Sequence, residues 1–225
     1  MHRIWGNFMK IVSVLLFLIS FNLQAEELYS SVDDYLKTVR TLSEDQLKYI
    51  KEHPEYEDPS RAVSKNKRWY VGYGPGGTVR SAYLYLLEAN KQGKLKLVTK
   101  INTSEEMQYA YLFEEVAFDS NDKFNVSIQL IEKGNASHTY YFQLIKSKWY
   151  LVRDDYSYSA NCGEGDNSET YYSLEASTNY LTGEVKEQRY SEKDCKPLKL
   201  VKKKRKFSLV PLSDFYPFME IEPQH

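Results

Sequence analysis

The clearest periodic signal along the chain is a two-residue alternation. Val126, Ile128 and Leu130 fall on one side of an extended chain, with Ser127 and Gln129 on the other. That is the pattern of a strand with one buried face and one wetter face. Runs of strand size recur around it, at 69–73, 81–88, 94–98, 109–118, 139–145, 148–154 and 170–177. Short clusters of turn-forming residues separate them: Gly74-Pro75-Gly76-Gly77, Asn90 to Gly93, Asp119-Ser120-Asn121-Asp122, Lys133-Gly134-Asn135, the link Lys146-Ser147, and Tyr180 to Gly183. Strand-sized runs joined by short turns predict hairpins and meander connectivity rather than crossover helices.

The period changes near the beginning of the chain. Val32, Tyr35, Leu36 and Val39 recur at helical spacing, and Leu42, Leu47 and Ile50 extend the pattern. Ser43 followed by Gln46 is a capping-box arrangement, so a second short helix is expected from Glu44 to His53, where Pro54 ends it. The two prolines and many charges of 54–67 predict a linker or surface loop. The expected fold is therefore mainly β, within the α+β class. It is an antiparallel β-meander sheet or sandwich, or a partly closed barrel, with two short N-terminal helices. The divisions expected are residues 1–25, a helical segment with its linker at 26–67, and a β domain at 68–225.

Residues 1–25 read as an export signal. Arg3 and Lys10 supply the positive start, 11–21 the apolar core, and Leu23-Gln24-Ala25 a small residue at the cleavage point. An apolar run of about 11 residues is too short to span a bilayer, which needs roughly 20. No transmembrane segment is expected after cleavage, and the address is periplasmic or secreted. The remaining 200 residues carry 28 basic and 31 acidic side chains. Without a sustained basic field, nucleic acid is not an expected partner.

Export also bears on the cysteines. Cys162 and Cys195 are the two in the chain, and in an oxidising compartment they most simply form one bridge. Closing the 33-residue separation between them stabilises a fold by about 3–4 kcal/mol on the chain-entropy argument. Metal binding or thiol chemistry is the lesser reading, because neither cysteine has a histidine close to it in sequence.

Candidate chemistries are few. The glycine cluster at 72–77 has backbone amides to cradle an anion, but it lacks the following helix of a phosphate loop and contains Pro75, so a hairpin turn is favoured. Asp119 to Asp122 has neither the glycine nor the distal acid of a calcium loop and reads as an Asx-type turn. His53, His138 and His225 are not paired at metal-ligand spacing, and no serine lies in a nucleophile elbow. No catalytic residue, metal or cofactor is assigned. Glu164, Asp166 and Glu169 form an acidic loop, which reads as solvated or as a surface for a basic partner. Lys202 to Lys206 is a basic run, which either blunts a strand edge or binds an anionic lipid or acidic protein. Twenty tyrosines suit a half-buried sheet surface, or a recognition face of rigid amphipathic rings. The apolar, proline-broken tail at 210–218 is expected to dock across the sheet.

The export signal, the single cysteine pair and the phrases Trp149-Tyr150-Leu151, Tyr180-Leu181-Thr182-Gly183 and Asp214-Phe215-Tyr216 resemble uncharacterised exported proteins of Gram-negative bacteria. The resemblance covers mainly residues 139 to 218. Some proteins of that type are periplasmic immunity or inhibitor proteins, so it implies a non-enzymatic protein that covers a protein partner. The residues expected to carry the contact are Glu164, Asp166 and Glu169 with exposed tyrosines such as Tyr156 and Tyr158. A domain binding a small ligand or cell-envelope glycan is the alternative, and a hydrolase with a non-sequential site comes third.

Overall fold

A computed structural model describes residues 27–39, 61–75, 82–102, 111–130, 135–161, 171–191, 194 and 196–224. The signal segment 1–25, the expected second helix and both cysteines lie outside these residues.

Thirteen strands occur among the described residues, in two antiparallel sheets. The first sheet contains β1 (Leu28–Tyr29), β2 (Arg61–Val63), β3 (Trp69–Pro75), β4 (Ala82–Ala89) and β5 (Leu95–Asn102), in the order β1-β5-β4-β3-β2. The second runs as an uninterrupted meander: β6 (Tyr111–Ser120), β7 (Lys123–Leu130), β8 (Asn135–Ile145), β9 (Lys148–Asn161), β10 (Tyr171–Asn179), β11 (Glu184–Gln188) and β12 (Val201–Lys204). A short β13 (Val210–Pro211) joins β9 beside Leu151 and Tyr150. The expected meander is thus present twice, as two open sheets; neither closes into a barrel.

Alternation explains the layering. Trp69 and Val71 of β3, with Leu84 and Leu86 of β4, face Val116, Phe124, Val126, Phe142, Trp149 and Leu151 of the second sheet, and together they form the main core. Trp69 meets Trp149 edge-on at 5.3 Å, and Phe124 stacks on Phe142 at 4.9 Å. Aromatic pairs of this kind add to the gain from area burial alone. Tyr83, Tyr85 and Leu87 point the other way, into a second cluster with Leu95 and the helix α1 (Val32–Val39). The molecule is layered as helix, sheet, sheet.

Helix α1 starts where its sequence dictates. The Ser31 hydroxyl accepts the Asp34 N–H at 3.1 Å, and the Asp34 carboxylate accepts the Ser30 N–H at 2.9 Å. The first bond satisfies an otherwise orphaned donor of the first turn, and the second fixes the residue before the cap. The helix buries Tyr35 and Leu36 against the sheet, and Arg61 ties it to β2 through Asp33 at 2.7 Å.

Two local expectations are corrected. Residues 61–63, read as loop, are a strand: Arg61, Ala62 and Val63 pair with Gly72, Val71 and Tyr70. Prolines and charges nearby hid a three-residue edge strand that tertiary pairing selects. The glycine cluster is likewise no turn at its start, since β3 continues through Gly74 and Pro75. Gly72 lies in mid-strand because the Tyr85 hydroxyl rests over it; a β-carbon there would sit 2.4 Å from that oxygen.

Candidate functional site

The second sheet differs from the first in having an outer face that no described element covers. Register sets the composition of that face row by row. Ser127, Thr139, Asp155, Ser177, Lys186 and Lys202 stand opposite one another across β7 to β12. The neighbouring row reads Gln129, Ser137, Ser157, Glu175 and Gln188. Each of these side chains is half-buried or exposed. Hydroxyls pair across the strands, Ser127 with Thr139 at 3.0 Å and Ser137 with Ser157 at 2.7 Å. A shallow concavity of about 400 Å³ is bordered among others by Thr139, Arg153, Asp155, Glu175 and Lys186.

Its most ordered group is a three-residue cluster. Arg153 grips Asp155 with two nitrogens, Nε at 2.8 Å and a terminal nitrogen at 2.7 Å, while its guanidinium lies 5.0 Å from the Tyr141 ring centre. A two-pronged pair holds its geometry better than a single contact. Its bond to Asp155 raises the Arg153 pKa above the ordinary value. Burial, and then the Asp155 charge, raises that of Tyr141. At neutral pH the Arg153 guanidinium therefore stays charged and the Tyr141 phenol neutral.

On the inner face, His138 and Asp154 meet at 3.2 Å, both largely buried. Tyr140 and Phe218 flank the imidazole at 5.4 and 4.7 Å, and Tyr156 lies 4.5 Å away. Sequence spacing left His138 without a partner. The partner is 16 residues away on the adjacent strand, and only the β8–β9 register brings the two together. No serine, threonine or cysteine side chain among the described residues completes a nucleophilic arrangement with this pair. No group of three or more potential metal ligands occurs among those residues.

Of the residues expected to make contacts, Tyr156 and Tyr158 both lie on β9. They are half-buried rather than exposed. Alternation puts them on the inner side, Tyr156 opposite His138 and Tyr158 opposite the buried Ala136. Tyr156 still reaches the rim of the concavity. Glu164, Asp166 and Glu169, and the Cys162–Cys195 pair, lie outside the described residues. The sequence reading assigned no contact to Arg153, Asp155 or Tyr141; the i, i+2 spacing of Arg153 and Asp155 in a strand joins those two, and only the cross-strand register adds Tyr141.

No family model, curated protein or solved structure matches this chain. No helix among the described residues is long and apolar enough to cross a membrane.

Proposed function

We propose that this chain is an exported, non-enzymatic binding protein that covers a protein partner, with an immunity or inhibitor role as the concrete form. One observation supports this above the others: the contrast between the two outer faces. The first sheet's outer face is apolar and capped by α1. The second sheet's outer face is polar, carries charges of both signs held in place, and has no described element over it. A preorganised polar surface loses little entropy on binding and selects its partner by charge complementarity.

The test is capture of envelope proteins by the mature, oxidised protein, beside an Arg153→Glu, Lys186→Glu variant of unchanged melting temperature. A stoichiometric partner held by the parent and lost by the variant supports the reading. Equal retention by both overturns it. The hydroxyl rows favour a second reading, a cell-envelope glycan as ligand. That reading expects cell-wall fragments, and no protein, to raise the melting temperature.

A further inference from the structure

Among the described residues the basic run forms an edge of the second sheet. Strand β12 pairs only with β11 among the described residues, Lys204 opposite Glu184, Lys203 opposite Val185 and Lys202 opposite Lys186. Its residues are all exposed, as are Arg205 and Lys206. No carboxylate among the described residues lies within ion-pairing distance of Lys202, Lys203, Lys204, Arg205 or Lys206.

The direction of the backbone groups follows from one bond. The Arg205 N–H donates to the Gly183 carbonyl at 2.8 Å, so Arg205 and Gly183 are a hydrogen-bonded antiparallel pair. In such a ladder every second residue turns its N–H and C=O toward the neighbour and the residues between turn outward. Residues 201, 203 and 205 thus face β11, and residues 202, 204 and 206 face away from the sheet. The chain itself demonstrates the outward set: the Lys206 carbonyl accepts the Gln224 N–H at 2.8 Å, an isolated bridge. Among the described residues no other backbone bond reaches the outward groups of Lys202 and Lys204.

We propose that this edge accepts an extended acidic segment of a partner protein as an additional strand. The proposal goes beyond the polar-face reading and does not depend on it. Charge decides between occupants. A second copy pairing edge to edge sets lysine against lysine, the arrangement by which edges resist self-association. An anionic bilayer is flat, whereas Lys202 and Lys204 project from one face of the sheet and Lys203 from the other, so one plane meets only part of the charge. An extended acidic strand meets both faces and supplies the missing backbone partners. Leu200 and Val201, both exposed beside the run, add apolar contact for its end.

The probe is a labelled peptide, Thr-Val-Glu-Glu-Glu-Glu-Thr, against the same peptide N-methylated at alternate residues, with the disulfide-intact mature chain. Expected are saturable 1:1 binding and at least about tenfold loss on N-methylation, since methylated amides cannot enter a ladder. Comparable losses are expected with Lys202→Glu, Lys204→Glu and, separately, with Lys203→Glu, Arg205→Glu, one pair for each face. Equal affinity for both peptides overturns strand addition, using the parent protein alone and so irrespective of how the variants fold. Loss with only one of the two variants overturns the two-faced geometry. Tighter binding to phosphatidylglycerol vesicles than to the peptide overturns the choice of partner.

Discussion

Tyr35 is the helix's one tyrosine and is fully buried, and its hydroxyl has no hydrogen-bond partner among the described residues. A buried hydroxyl without a partner is a cost that its ring must outweigh through packing against Tyr29 and Tyr85, at 5.1 and 5.3 Å. Tyr35→Phe keeps the rings and removes the cost, so stability should stay level or rise by about 1 kcal/mol; urea denaturation checks it, and a clear loss would reveal a polar partner. The β8–β9 turn makes a second residue-scale case. Lys146 and Ser147 both adopt positive φ, 47° and 67°, as a two-residue hairpin of the favoured twist requires. Neither residue is suited to that region, so Ser147→Gly should raise stability by about 0.5–1 kcal/mol in the same measurement.

At the scale of elements, Gly183 sets the course of β12. Its φ is +75°, and a β-carbon would lie 1.8 Å from the Arg205 carbonyl oxygen. Gly183→Ala combines left-handed strain with a backbone clash and should cost at least about 2 kcal/mol. Because the clash pushes Arg205 away, hydrogen exchange should quicken first at the β11–β12 ladder. The C-terminal segment is the other element whose placement matters. Leu212, Phe215 and Pro217 are buried, and Phe215 meets Tyr140 and Phe142 edge-on at 4.9 and 5.1 Å. The Phe218 N–H donates to the Tyr140 hydroxyl at 2.8 Å. The tail thus closes the part of the inner face that the first sheet leaves open, and Phe215→Ala should cost about 3–5 kcal/mol in denaturant titration.

For the whole molecule, tyrosine burial predicts how stability depends on alkaline pH. Burial first, and then the phenols of Tyr83, Tyr29 and Tyr85, push Tyr35 far above the ordinary range; burial and then Asp154 do the same for Tyr180. Only the neutral phenols fit the fold, whereas in the unfolded chain they ionise near pH 10. Their contribution is complete below about pH 10 and is lost as pH climbs from there toward the folded-state values. The melting temperature should fall steeply above that point, less so in Tyr35→Phe. Ultraviolet titration should show a class of phenols that ionises only on unfolding; ordinary titration of every tyrosine near pH 10 would contradict the packing.

Much of this architecture is local and therefore legible in the amino-acid order. Alternation at 126–130 assigns Val126 and Ile128 to the core, where both are fully buried. The Tyr180 to Gly183 turn follows from Asn179, whose side chain accepts the Leu181 and Thr182 N–H groups, and from a glycine at positive φ. Periods of two and of about four depend on neighbours along the chain, so the sequence alone determines strands, turns and helix start. Pairing across sheets is a different matter. That β2 exists, that Tyr156 turns inward, that His138 meets Asp154 and that Arg153 meets Asp155 beneath Tyr141 depend on register and on which face is covered. Those choices are made by the combined burial of residues far apart in sequence, and only the tertiary structure decides them.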